Sequence, residues 1–315
     1  MSYQRIPAAA LILLLVPLIR ASSLQAQFPA VPQLNVDVDI VQVNATVTES
    51  ERNRSVLGLN QEDFQIWEDK IEQTIKYFSS EDVPLSVGVI LDISGSMKGK
   101  IDTAQSAAAR FLKSGTREDE YFQIQFSDRL ELTSDFTSDI GKLQSLLLVP
   151  SVKGSTALYD AVYLGLNKLR ESHNQKKALL LITDGEDNHS RYSFSNVRDF
   201  IREQDVQMYA IGIVDPVTGV GEDALLQLAD ITGGRAFFPT NVADLPDICR
   251  KIAAELKYQY VLGYQSTNRA KDGSWRKIRV KVTAPEGSRA TSLDVRARPG
   301  YLAPGGGDSD MNGSR

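Results

Sequence analysis

Asp92-Ile93-Ser94-Gly95-Ser96 follows directly on the apolar run Ser86-Val87-Gly88-Val89-Ile90-Leu91, so a carboxylate and two hydroxyls arrive together at the tip of a buried strand. A hard cation such as Mg²⁺ takes oxygen ligands in near-octahedral geometry at roughly 2.1 Å and gives up its waters reluctantly. A carboxylate, hydroxyl, hydroxyl series suits that demand. The same residues also suit a plainer role, in which Asp92 and Ser94 cap the helix that follows. Two further segments extend the metal reading. Gly154-Ser155-Thr156-Ala157-Leu158-Tyr159-Asp160 brings a loop hydroxyl to the start of a helical pattern, and Leu179-Leu180-Leu181-Ile182-Thr183-Asp184-Gly185 ends a second apolar strand in another carboxylate. In an open α/β sheet, ligands gather beyond the carboxyl ends of the strands, where these loops can converge.

Together the three segments resemble the von Willebrand factor type A domain and its metal-ion-dependent adhesion site. The resemblance implies one Mg²⁺ or Mn²⁺, with Ser94, Ser96 and Thr156 as hydroxyl ligands and Asp92 and Asp184 acting directly or through bound water. It also implies a partner protein that completes the ion's shell with an Asp or Glu carboxylate of its own. An ion touched by few protein carboxylates keeps residual positive charge and attracts such a group.

Strands and helices must alternate to hold these loops in place, and the apolar spacing predicts that they do. Strands are expected at 87–91, 121–126, 178–182, 206–214 and 236–238, and helices at 101–112, 157–169, 194–201, 223–228 and 245–256. The rhythm predicts an α/β fold, a doubly wound and mainly parallel sheet with helices on both faces, over residues 83–257. The flanks are different. Residues 34–48 alternate apolar and polar with a phase change near Ile40; Phe64 with Ile66, Ile75 with Tyr77, Tyr258 to Tyr264, Ile278 to Val282 and Leu293 with Val295 are strand-like. Each flank, 27–82 and 258–303, is too short to bury a good β core alone, so the two are expected to pair as one smaller β-sandwich. Gly58-Leu59-Asn60-Gln61-Glu62-Asp63-Phe64 and Arg298-Pro299-Gly300-Tyr301 resemble segments of a bacterial subfamily of von Willebrand type A-related proteins. Residues 304–315 have the composition of a disordered tail.

Composition narrows the function classes. The 315 residues are 42% hydrophobic, enough for a large core, and carry a formal charge of −5 with no basic, aromatic-interleaved run, which argues against nucleic-acid binding. Arg5, the apolar stretch Ala8 to Ile19 and the small residues up to Ala26 predict a signal peptide over 1–26, hence an exported protein, extracellular or periplasmic, with an uncleaved anchor as the alternative. No later stretch is long and apolar enough to span a membrane. The single cysteine, Cys249, excludes an intrachain disulfide and belongs to an apolar helical face with Leu245, Ile248, Ile252 and Leu256. His173 and His189 stand in polar surroundings as surface residues.

Glu186 and Asp187, before the helix near Phe194, are expected to cap backbone amides or stay solvated rather than to add metal ligands, and Asp160 either orients a metal-bound water or lies on a helix surface. The favoured function is a non-enzymatic adhesion or protein-binding module. Two alternatives are a structural subunit of an envelope assembly and a Mg²⁺-dependent phosphoryl-transfer enzyme with Asp92 as nucleophile. The enzyme reading lacks a second Asp two residues on, where Ser94 stands, and oligomeric state is left open.

Overall fold

The structure, a computed structural model, describes residues 40–50, 54–148, 152–214, 219–284 and 292–305. The expected signal peptide, the strand residues before Ile40 and residues 306–315 of the expected tail lie outside these. In chain order the elements begin with β1 (Ile40–Glu49), β2 (Phe64–Glu68), β3 (Ile71–Gln73), β4 (Ile75–Ser79), β5 (Leu85–Asp92), α1 (Ile101–Leu112), β6 (Glu120–Phe126), β7 (Leu130–Thr137), α2 (Ile140–Leu146) and α3 (Leu158–Leu169). They continue with β8 (Lys176–Thr183), α4 (Phe194–Arg202), β9 (Gln207–Gly212), α5 (Glu222–Thr232), β10 (Arg235–Phe237), α6 (Leu245–Lys257), β11 (Tyr260–Gln265), β12 (Trp275–Val282), β13 (Leu293–Ala297) and β14 (Gly300–Leu302).

Strand β5 is buried along its whole length because it is apolar on both sides of the pleat. It lies inside a six-stranded sheet of order β10-β9-β8-β5-β6-β7, in which every pairing is parallel except that of β6 with β7. Successive side chains of a strand point to opposite faces. Val87, Val89 and Leu91 therefore join one core with Ala104, Ala107 and Phe111 of α1, Leu143 of α2 and Leu245, Ile248, Cys249 and Ile252 of α6. Ile90 joins the other core with Phe122 and Ile124 of β6, Leu158, Val162 and Leu166 of α3, Val197 of α4 and Leu225 of α5. Gly165 lets α3 approach the sheet closely, since a Cβ there would fall 2.7 Å from Ile90 Cδ1. This is the doubly wound α/β fold that the alternation predicts.

Two elements of the α/β body were not anticipated. Strand β7, LELTSDFT, lacks a clean apolar alternation because it is an edge strand with Leu132 exposed, and α2, IGKLQSL, offers Leu143 alone as a buried side chain within its seven residues.

The flanking strands form two antiparallel sheets, β13-β1-β11-β4 and β14-β12-β2-β3. β1 pairs with β11 over Ile40 to Ala45 and with β13 over Ala45 to Glu49, so an amino-terminal strand lies between two carboxy-terminal ones. The inner faces of both sheets share one core, with Val43, Val47, Tyr260 and Leu262 facing Phe64, Ile66, Ile278 and Val280. Buried Glu68 accepts from the hydroxyls of Tyr264, Ser266 and Tyr301, at 2.8, 2.6 and 3.0 Å. Such a satisfied carboxylate fixes one arrangement of the strands around it. Pro304 and Gly305, placed by the sequence in the tail, lie against the loop at Asp272 and Gly273. Arg296 bonds Gly234 O at 2.8 Å, and Lys257 pairs with Asp82 at 2.7 Å, so polar contacts tie the flank to the α/β body.

Candidate metal centre

β6 lies on one side of β5 and β8 on the other, so the winding of the chain reverses at β5 and a crevice opens at its carboxyl end. Asp92 is the last residue of β5, and Thr183 is the last of β8 beside it. Asp92 is fully buried; its Oδ1 accepts from Ser94 N at 2.8 Å and its Oδ2 from the Thr183 hydroxyl at 2.6 Å. Burial pushes its carboxyl up to about 6, the negative charge of Asp184 pushes the same way, and the bonds from Ser94 and Thr183 oppose both.

Ser94 is buried and Ser96 is half-buried, with their hydroxyl oxygens 3.0 Å apart. The fully buried side chain of Met97 anchors the turn Gly95–Met97 that carries them. The Thr156 loop is stitched to this turn by its backbone: Gly95 N donates to Gly154 O at 2.9 Å and Lys153 N to Ile93 O at 3.1 Å. Thr156 is itself buried. Its N donates to Asn188 Oδ1 at 2.9 Å, and its carbonyl accepts from Asn188 N and His189 N, both at 3.0 Å.

Asp184 is 2% exposed; its Oδ2 accepts from Lys100 Nζ at 3.1 Å, while Oδ1 is buried with no hydrogen-bond partner among the described residues. Gly185 follows in the left-handed region, at φ 82°, packed so closely that a Cβ would meet Gly221 O at 2.6 Å. Only glycine turns the chain there without strain.

Direct bonds thus join Asp92, Ser94 and Ser96 into one cluster, Asp184 is its electrostatic neighbour, and Thr156 is brought in through its loop. The donor set fits a hard divalent ion. A buried carboxylate oxygen without a partner is costly, and a cation bound by hydroxyls and carboxylates is the group that would relieve Asp184 Oδ1. Among the described residues no cluster of three or more His, Cys, Asp or Glu is placed to hold a metal, because this set draws on only two carboxylates.

Other expectations shift in detail. Asp187 does cap a backbone amide, that of Tyr159 in α3: its Oδ1 takes the Ser190 hydroxyl at 2.5 Å and Tyr159 N at 3.4 Å, while α4 is capped by Ser193. Asp160 neither faces the cluster nor lies free. It is buried and accepts from Arg191 N at 2.9 Å and Tyr192 N at 3.0 Å, pinning the loop after β8 to α3. Lys100 falls in the Met97 to Lys100 loop that the sequence offers for partner specificity, but its pairing with Asp184, and the parts played by Thr183 and Asn188, are set only by the fold. His173 pairs with Glu120 at the opposite end of β6, and His189 touches the site through its backbone alone among the described bonds. Buried Cys249, its thiol pushed up to about 11 by burial, is core. Beside Thr156, a groove of ≈ 660 Å³ runs past Arg129, Arg191 and Tyr163, whose ring stacks on Tyr192 at 4.1 Å.

The family model described as von Willebrand factor type A domain matches residues 86–251, more than half of the chain. No curated protein matches it significantly. Similar solved structures include BatB from Bacteroides thetaiotaomicron, 19% identical over 55% of this chain and 99% of that one, with a TM-score of 0.47. The vWF domain of the type V pili tip protein Mfa5 from Porphyromonas gingivalis is 14% identical over 54% of this chain and 95% of that one, with a TM-score of 0.47. A von Willebrand factor type A protein from Catenulispora acidiphila is 13% identical over 80% of this chain and 76% of that one, with a TM-score of 0.49.

Proposed function

Because the chain belongs to the von Willebrand factor type A domain family, we propose that it is an exported, non-enzymatic binding module that captures an acidic group of a partner protein through Mg²⁺ or Mn²⁺. Asp92, Ser94, Ser96, Thr156 and Asp184 would hold the ion. The observation that carries this reading is the buried Oδ1 of Asp184, without a partner among the described residues, beside Asp92 and the paired hydroxyls of Ser94 and Ser96. When bound, the ion supplies a Lewis-acidic position for a carboxylate oxygen. The protein's own part is to hold the donors at the crevice mouth. Thr183 orients Asp92, Asn188 holds Thr156, and both oxygens of Asp92 are already engaged, which disfavours its use as a nucleophile.

A flexible acidic side chain loses water and mobility on capture, so affinity rests on additional contact from the loops around the site, Met97 to Lys100 among them. Export is supported by the apolar amino-terminal stretch Ala8 to Ile19. Among the described residues, no helix is long and apolar enough to cross a membrane.

The test is calorimetric titration of Mg²⁺ and Mn²⁺ into the metal-stripped protein and into a variant carrying Asp92→Ala and Ser94→Ala. One-site binding to the native protein and none to the variant is expected. Absence of binding to the native protein would defeat the reading.

A further inference from the structure

Lys100 ends the turn after the Asp92 loop and opens α1, with its N bonded to Met97 O at 2.8 Å and its carbonyl accepting from Ala104 N at 3.1 Å. Gly99, at φ 82°, swings the chain so that the lysine side chain runs back over the crevice. Its ammonium lies 3.1 Å from Asp184 Oδ2, and the side chain is 28% exposed against 2% for its partner. The two strand-end carboxylates are therefore unlike. Asp92 is closed by the neutral donors Ser94 N and Thr183 Oγ1, whereas Asp184 is held on one oxygen by a cation and left open on the other.

This asymmetry sets the charge of the site. A divalent ion over two ionised carboxylates is balanced to neutrality, and a neutral site has little electrostatic hold on an anionic ligand. One ammonium more leaves the loaded site net positive. The same ammonium opposes entry of the ion, by repulsion and by competing for the Asp184 carboxylate. Asp187 turns its Oδ1 to the Ser190 hydroxyl and Tyr159 N, and among the described ion pairs Lys100 is matched with Asp184. Lys98 and Lys153, on the two loops that meet at Gly95 and Gly154, are both exposed and add to the positive side.

Resting on the metal-site reading above, we propose that Lys100 is a specificity-determining residue of this site. It lowers affinity for the divalent ion and in return keeps the loaded site positive, so that the site selects an anionic oxygen ligand. A lysine suits this task because its ammonium is a compact charge on a long stem, able to pair with Asp184 and to face an arriving anion.

The experiment uses the full chain with Mn²⁺ as the metal probe and acetate as the anion probe. Calorimetry gives the Mn²⁺ Kd for the native protein, Lys100→Met, Lys100→Gln and Lys100→Arg, and water-proton relaxation of the Mn²⁺-loaded proteins follows acetate displacing bound water. Both neutral variants are expected to bind Mn²⁺ about tenfold more tightly and acetate about tenfold more weakly than the native protein, differences that shrink as salt is raised. Lys100→Arg, which keeps the charge, is expected within about threefold of native on both measures. A merely structural lysine would not move the two affinities in opposite directions. Mn²⁺ binding that is unchanged or weaker in both neutral variants, or acetate binding that is unchanged, overturns the role of Lys100 while leaving the metal site standing. Failure of the native protein to bind Mn²⁺ overturns the site itself and this inference with it.

Discussion

Asp92 is the residue whose chemistry and stability pull against each other. Its carboxyl is raised from 3.8 to about 6 by burial, so the metal-free fold holds its proton to higher pH than the unfolded chain does. Below about pH 4 it is protonated in both folded and unfolded chains, and its contribution to stability is complete. As pH rises towards 6 the unfolded chain releases the proton first and that contribution is lost; a shift of this size amounts to about 3 kcal/mol. Asp92→Asn, which stays neutral, should escape the loss. In chelator, urea unfolding is expected to show the variant gaining on the native protein between about pH 4 and pH 7, with Mg²⁺ reversing the ranking at neutral pH. Parallel stability profiles would sink this account. The Asp-x-Ser-x-Ser spacing pointed to these oxygens directly, yet Thr183, which closes Asp92 Oδ2, is legible only once β5 and β8 are known to be neighbours.

At the scale of elements, the loop after β8 does two things: it ends in Asp184 and it folds back over the start of α3. Asn188 Oδ1 holds Thr156 N, Ser190 accepts Asp160 N, and Asp160 in turn holds the backbone of Arg191 and Tyr192. Thr156 is thus positioned by a segment some thirty residues away, a relation that spacing alone does not reveal. Removing a group that orients a ligand commonly costs about tenfold or more in metal affinity. Asn188→Ala is accordingly expected to weaken Mg²⁺ binding by about tenfold with little change in melting temperature, as read by calorimetry and thermal unfolding. An unchanged Kd would mean that the Thr156 loop holds its shape without Asn188. The principal helices and parallel strands of the α/β body were legible because their apolar periodicities are strong. β7 and α2 were not, because an exposed edge strand and a short helix bury too little to leave a pattern.

At the scale of the whole molecule, the two chain ends share one antiparallel assembly next to the doubly wound body. Among the described strands β1 is flanked by β11 and β13, both contributed by the carboxy-terminal end, with a single bridge from Thr48 to Ser55 besides. A chain ending at Lys257 would leave β1 unpaired and expose Val43, Val47 and Ile66, whereas both cores of the α/β body would stay intact. Hydrogen exchange by mass spectrometry on that truncation is expected to show protection lost over residues 40–49 and 64–79 and retained over β5, β6 and β8. Retained protection in β1 would mean that it holds its place without carboxy-terminal partners.

Read alone, the amino-acid order determined the alternating fold and the apolar strands, because these are encoded in the period of apolar residues; the five candidate ligands came from the resemblance that three short oxygen-bearing segments carry. Tertiary structure decided which oxygens meet. That Thr183 closes Asp92, that Lys100 reaches Asp184, that Asn188 holds Thr156 and that Asp184 keeps one oxygen buried without a partner all depend on strand order and loop packing. These contacts join residues distant in sequence, and only the folded sheet, with β6 and β8 on opposite sides of β5, brings them to one crevice.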